Sequence, residues 1–246
     1  MQLSNHQEEL ATRGYTIVPD VLSAAEVTEL REIVDALYQL HDPGIDFEGL
    51  NIAEGRPDGR APERGAFHRE YNFATCLLTR HSAIWPVVSR EPILSLIRSI
   101  IGPDCVLSSL NSLEPLPGHG QQPLHRDEGP AGPEGYVTAN SIWVLDAMDA
   151  GNGSTRLIPG THTTAELSDD ADPRLTYANA AAGSVVVTNA HVLHGASINR
   201  DGRRRRVIHG YFTRRGRKRQ TDFRYYSSPA SIARLPASCR ALLDLD

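Results

Sequence analysis

Apolar residues recur along this chain at two different spacings, and the change from one to the other divides it. Residues 4–13 repeat at helical spacing and end at Gly14, a residue that supplies a left-handed helix cap. Tyr15-Thr16-Ile17-Val18 then reads as a strand stopped by Pro19. Ser23 and Glu26 form a capping box, and behind it Val27, Leu30, Ile33, Val34 and Leu37 predict an amphipathic helix over 24–40. Residues 41–66 are rich in glycine, proline and charge and read as a loop; a further helix covers 82–101, with Pro92 as its point of interruption. From Cys105 onward the period shortens. Strands are expected at 105–113, 122–127, 138–147, 155–158, 184–189, 192–199 and 204–213, with turn signals at Pro117-Gly118, Gly151-Asn152-Gly153, Pro159-Gly160, Gly183 and Asp201-Gly202. Many short strands without intervening helices indicate a sandwich, barrel or jelly roll, mainly β with flanking helices. The expected organisation is one domain over 1–246, with a helical amino-terminal portion 1–104 and a β core 105–215.

Composition narrows this little. The chain has 246 residues, 40% of them hydrophobic, enough for one substantial core. No apolar run approaches a membrane span, and MQLSNHQEEL lacks the basic-then-apolar pattern of a signal peptide, so a cytoplasmic location is expected. Cys76, Cys105 and Cys239 are far apart and without zinc spacing, which makes them free thiols in a reducing compartment.

Charge adds one question. Residues 200–219 carry a local balance of +9 while the remainder carries −14. Such a block suits either a nucleic-acid patch or a solvated β-hairpin with one buried arginine. The acidic remainder repels phosphate and favours the hairpin, so no nucleic-acid partner is expected. Nothing in the sequence fixes an oligomeric state.

The chemistry-bearing residues lie in the β half. In a strand, residues i and i+2 share a face, so His125 and Asp127 point the same way and Arg126 the other. Two imidazoles and one carboxylate can take one face of an iron(II) ion and leave other positions open; the same set also suits zinc. His194 is the preferred third ligand, because Gly195 after it lets a backbone approach closely, and His191 is its rival. His6-x-Glu8 is a competing pair on what reads as an exposed helix. His68 and Glu70 are candidate substrate contacts, as are Phe67, Arg69, Tyr71, Asn72, Asn111 and Trp143.

The turn at Asp201-Gly202 adds a partner for an acid. A two-residue hairpin turn there pairs 198 with 205 and 194 with 209, so that His194 and Arg205 face inward and Arg204 and Arg206 outward. Arg205 then lies about 13 Å from His194 along the sheet, a gap an arginine and a five-carbon diacid can bridge. A three-residue turn selects Arg204 or Arg206 instead.

With those residues in hand, the chain resembles the phytanoyl-CoA dioxygenase family over most of its length. Gly14-Tyr15, Val21-Leu22-Ser23 and Glu26-Val27 look like that family's opening strand and helix. Gln122-Pro123-Leu124-His125-Arg126-Asp127 is similar to its proximal metal motif. Asn152-Gly153-Ser154-Thr155-Arg156-Leu157-Ile158-Pro159-Gly160-Thr161-His162 resembles its Asn-Gly…Pro-Gly-Ser-His segment, with Thr161 in place of serine. Gly183-Ser184-Val185-Val186 leading to His194-Gly195 looks like the distal strand, and Arg205 falls at the family's spacing for the co-substrate arginine.

The resemblance implies a double-stranded β-helix, cupin-like, with Fe(II) bound by His125, Asp127 and His194. It implies 2-oxoglutarate held at its far carboxylate by Arg205, with Gln122 and Thr155 at the positions of additional co-substrate hydrogen bonders. O2 is then reduced, 2-oxoglutarate gives succinate and carbon dioxide, and a C–H bond of a small molecule is oxidised. Hydroxylation is the default outcome, with natural-product tailoring one fitting role. Desaturation, cyclisation and epimerisation use the same ligand set. Asp127 argues against a halogenase, since a halide needs the carboxylate's coordination position. A metal-free binding module on the same fold, a zinc hydrolase and a nucleic-acid binder are the rivals.

Overall fold

Alternation along the strands builds a double-layered barrel whose larger sheet packs against the described helices. The computed structural model describes residues 3–39, 70–74, 77–224 and 229–245. The helices are α1 (Leu3–Arg13), α2 (Ala24–Gln39), α3 (Leu77–Arg80), α4 (Trp85–Ser89), α5 (Ile93–Ile101), α6 (Pro229–Ala233) and α7 (Ala237–Leu243). The strands are β1 (Tyr15–Val18), β2 (Tyr71–Ala74), β3 (Cys105–Pro115), β4 (Thr138–Val144), β5 (Thr155–Ile158), β6 (Thr176–Tyr177), β7 (Val185–Asn189), β8 (Leu193–Ala196) and β9 (Val207–Arg214). They form a six-stranded sheet in the order β1-β7-β4-β9-β3-β2 and a three-stranded sheet β6-β5-β8, with antiparallel pairing throughout. This is the jelly-roll arrangement of a double-stranded β-helix.

Odd and even positions of the central strands serve different cores. Ala139 and Trp143 of β4, Val185 and Val187 of β7, and Ile208 and Phe212 of β9 pack against the helices, including Leu30 and Val34 of α2 and Ile97 of α5. Their neighbours Ile142, Val144, Val186 and Val207 point the other way and meet Leu157 of the smaller sheet inside the barrel. Each fully buried aliphatic side chain contributes about 1.5–3 kcal/mol. Further along the same inward face the residues become polar: Asn140, Thr188, His209. That change of character marks one end of the barrel.

Local chemistry accounts for the helix boundaries. Ser23 N–H donates to Glu26 Oε2 at 2.8 Å and Glu26 N–H returns to Ser23 Oγ at 3.3 Å, the reciprocal capping box. Gly14 has φ of +80° and closes α1 through its N–H to the Leu10 carbonyl at 3.1 Å. The expected helix over 82–101 is three pieces, a short 3-10 turn, α4 and α5, because Pro92 cannot continue a helix.

Several expectations need correction. Residues 122–127 form no regular strand; they run beside β8 with a single bridge, His125 to His194. The hairpin joining 194 to 209 does not exist. β8 pairs with β5, whereas β9 pairs with β3 and β4, so the Asp201-Gly202 turn carries the chain from one sheet to the other. Short-range turn chemistry cannot distinguish a hairpin from such a crossing. His6, expected on an exposed helix, is buried at 4% exposure with its Nδ1 2.7 Å from Thr16 Oγ1. β2, α3, α6 and α7 carry too few periodic residues to have been anticipated. The loop expected at 41–66 lies outside the described residues. No helix among the described residues is long and apolar enough to cross a membrane.

Candidate active site

Three side chains from two segments converge at the polar end of the barrel. His125 and Asp127 come from the irregular stretch bridged to β8, and His194 from β8 itself. Ligating atoms of all three lie within 4.8 Å of one another. His125 Nε2 is 3.5 Å from Asp127 Oδ1, and His194 Nε2 is 3.7 Å from Asp127 Oδ2. Both histidines are oriented in the same way. His125 Nδ1 donates to the Pro123 carbonyl at 2.9 Å and His194 Nδ1 to the Val192 carbonyl at 2.9 Å. A carbonyl can only accept, so each ring carries its proton on Nδ1 and directs the Nε2 lone pair at the shared centre. Asp127 is held from behind by Asn140 Nδ2 at 2.8 Å.

Electrostatics fit a cation site. Burial raises the Asp127 carboxyl, but His194, His125 and Asn140 together outweigh it and keep the group ionised well below the usual carboxylate range. The hydrogen bond to Asp127 raises His125. Exposure falls inward, from 40% for the His125 side chain to 11% for His194. His125 therefore stands at the mouth.

Gly195 answers the close approach expected of it: a Cβ there would lie 2.7 Å from the Pro123 carbonyl oxygen. Thr161, in the serine position of the family segment, keeps the hydroxyl's work. It donates to the Ile158 carbonyl at 2.7 Å and accepts from Leu193 N–H at 2.9 Å, next to His194. Arg126 turns away as expected and gathers the carbonyls of His191, Thr161, Thr164 and Glu166.

The triad opens on a cavity of about 160 Å³ whose wall also includes Gln122, Thr155, Arg205 and His209. A water needs about 10–15 Å³ on such a measure, so the space suits a small organic acid. Gln122 is fixed by Ala196, whose N–H donates to Gln122 Oε1 at 3.1 Å. A backbone N–H can only donate, so the Gln122 amide NH2 is the end left for a ligand. Arg205 is 4% exposed and forms no ion pair among the described residues, and its Nε has no hydrogen-bond partner. Asn140 Oδ1 and Thr188 Oγ1, on cavity-lining residues, are likewise unpartnered. A buried cation without an acid is costly unless a ligand brings one. The donor set suits iron(II), and the lone guanidinium suits the far carboxylate of a diacid such as 2-oxoglutarate.

The rival residues fall elsewhere. His191 is spent on the backbone: its Nδ1 donates to the Gly129 carbonyl at 2.8 Å and its Nε2 accepts from Val137 N–H at 3.2 Å. Tyr71 lines the cavity. Asn72 instead bonds Glu114, Trp143 lies in the helix-side core, and Asn111 sits across from His209 in the β3–β9 ladder. Glu70 accepts from Gly120 N–H. Phe67, His68 and Arg69 lie outside the described residues. Three polar cavity residues, Asn140, Thr188 and His209, were not among the candidates read from sequence. Asn140 was signalled as a polar residue inside an apolar strand, and His209 by its even spacing from Arg205.

The family model described as Phytanoyl-CoA dioxygenase (PhyH) matches residues 10–207. The chain belongs to the phytanoyl-CoA dioxygenase family. It is thereby an iron(II)- and 2-oxoglutarate-dependent dioxygenase. Dioxygenase FUM3 of Gibberella moniliformis is 32% identical over 208 residues, covering 78% of this chain and 65% of that protein. Among solved structures, HygX of Streptomyces hygroscopicus with nickel, 2-oxoglutarate and hygromycin B bound aligns with a TM-score of 0.66 at 13% identity, over 89% of this chain and 90% of that one. The epimerase SnoN in complex with Fe3+, alpha ketoglutarate and nogalamycin RO aligns with a TM-score of 0.63 at 16% identity, over 86% and 83%. At these identities the likeness to the two structures is one of fold.

Proposed function

We propose that this dioxygenase folds as one domain and holds its iron through His125 Nε2, Asp127 and His194 Nε2, with 2-oxoglutarate lying along the cavity from the iron to Arg205. The observation that carries the reading is the buried Arg205, without an acidic partner among the described residues, in the same cavity as the triad. Gln122 and Thr155 complete the co-substrate's surroundings. The guanidinium fixes the far carboxylate; the Gln122 amide, oriented by Ala196, offers a donor nearer the metal. Asn140 keeps Asp127 in the rotamer that faces both histidines. When bound, the iron and 2-oxoglutarate supply oxidising power: O2 is reduced, 2-oxoglutarate becomes succinate and carbon dioxide, and a substrate C–H bond is oxidised.

The substrate is a small molecule that arrives at the exposed side of His125, and hydroxylation is the outcome proposed. A role in natural-product tailoring accords with the ligands of the two structural neighbours, hygromycin B and nogalamycin RO. The named epimerase among them keeps epimerisation as the second outcome.

Incubating metal-free protein with iron(II), 2-oxoglutarate and O2 tests the reading. Succinate should form slowly even without substrate, and His194→Ala should form none. Iron bound at one equivalent with no succinate, under any substrate, points instead to a binding module.

A further inference from the structure

His209 differs from five other histidines of this protein. His6, His125, His162, His191 and His194 each have a ring nitrogen engaged by a neighbouring oxygen. His209 makes no hydrogen bond among the described residues; beyond the desolvation of its ring, the charges of Asp127, His194 and Arg205 act on it. Its place in the ladder explains why the ring faces the cavity. It lies on β9 directly opposite Ile142 of β4, and residues opposite one another share a face. Ile142 and His209 both line the cavity that holds the triad and Arg205.

We propose that His209 is a further co-substrate-positioning residue, donating a hydrogen bond from its ring to the metal-proximal end of bound 2-oxoglutarate. The proposal rests on the reading of this cavity as the 2-oxoglutarate site. Three features point to the co-substrate and not to the molecule being oxidised. The substrate side is marked by His125, the exposed ligand bridged to β8 of the smaller sheet, whereas His209 comes from β9 of the larger sheet. Along the chain it lies four residues beyond Arg205, and its ladder partner Ile142 is two residues from Asn140, which bonds Asp127, so it stands toward the metal end. And burial keeps the ring uncharged, pushed down to about 4, so it presents one N–H and one lone pair. The chelating end of 2-oxoglutarate offers only acceptor oxygens, which fixes the ring as donor. Packing alone would be served by a residue like its same-face neighbours Val207 and Ile142.

The test is an anaerobic titration of the iron(II) protein with 2-oxoglutarate, followed by the visible charge-transfer band of the chelate. It is run on wild type, His209→Leu, His209→Gln and Arg205→Ala, with iron affinity and melting temperature measured for each. His209→Leu should bind 2-oxoglutarate about tenfold more weakly, the scale of a hydrogen bond to a charged group. His209→Gln, which keeps an N–H donor, should recover most of that loss, and iron affinity should be unchanged in both. The band maximum should shift in His209→Leu, which a purely structural role would not produce. Wild-type affinity in His209→Leu overturns the proposal. So does equal weakening in Leu and Gln variants with falling iron affinity, the mark of packing. If wild type gives no band, or Arg205→Ala binds like wild type, the parent reading fails, and this one with it.

Discussion

Four consecutive arginines, Arg203 to Arg206, meet two opposite fates. Arg204 reaches Asp35 at 2.7 Å and Glu114 at 2.5 Å; Arg206 reaches Asp146 and Asp35, both at 2.7 Å; Arg203 reaches Asp149 and Asp201. Arg205, between them and 4% exposed, reaches no carboxylate among the described residues. Alternation at the entry to β9 separates them: Arg204 and Arg206 turn outward to carboxylates of α2, β3 and the β4–β5 loop, while Arg205 turns into the barrel. The outer face is finished by the protein's own acids. The inner face is left for a ligand to finish, and Asn140 Oδ1 and Thr188 Oγ1 share that condition. Arg215, Arg217 and Arg219 of the same basic block also reach carboxylates of this chain.

Breaking the inner face should give the largest effect. Arg205→Ala should weaken 2-oxoglutarate binding by at least about a hundredfold, the scale of truncating one partner of a buried charge pair, while the ligand-free protein melts no lower than wild type. Calorimetric binding and thermal unfolding measure the two halves. A large loss of ligand-free stability would mean that Arg205 has a protein partner and that inner and outer faces do not differ.

Asn140→Ala is the next step down. It removes the hydrogen bond to Asp127 without touching a ligating atom, and iron affinity should fall about tenfold to a hundredfold. Competition with a metal chelator reads this directly; unchanged affinity would show that Asp127 needs no support.

Breaking the outer face should do the reverse of Arg205→Ala. Arg206→Ala should cost about 2 kcal/mol of stability, since Asp146 loses its closest cation, and leave 2-oxoglutarate affinity within about twofold. Denaturant melts and the same titration decide it.

The smallest effect is on the acid limb. Burial alone would raise the Asp146 carboxyl, but the hydrogen bonds from Arg206 outweigh it and lower the group. A depressed folded value means stability present above the unfolded value and lost as pH falls through the folded one, so Asp146 contributes to the decline below about pH 4. Arg206→Ala should flatten the stability-versus-pH curve in that range. An unchanged slope would remove Asp146 from the account.

How much of this was legible from sequence varies with the range of the forces involved. Ser23 and Glu26 announce α2 because a capping box is local, and β5 follows from three apolar or β-branched residues, Thr155, Leu157 and Ile158, between turn signals. His125 and Asp127 share a face through i, i+2 spacing, although 122–127 forms only one bridge. The inward direction of Arg205 was legible and its stated reason was not. The hairpin register places 194 opposite 209, yet β8 and β9 lie in different sheets, and parity survived because Arg205 shares its direction with Val207 and His209 of β9, all three lining the cavity. Sequence preferred His194 over His191 only for the glycine that follows it, since His194 lies in β8 and His191 two residues before that strand. What separates them is a backbone carbonyl and an N–H from the distant 129–137 segment. His209 and Asn140 are brought onto one wall by the β4–β9 pairing, which joins strands sixty-odd residues apart.

The most direct test of the central claim is an oxygen-free crystal structure with manganese(II) and 2-oxoglutarate, the metal located by its anomalous signal. The account predicts one metal peak between His125, Asp127 and His194, and a diacid running from it to a paired contact with Arg205. A metal elsewhere, or a diacid whose far carboxylate rests on Arg204, Arg206 or solvent, would contradict it.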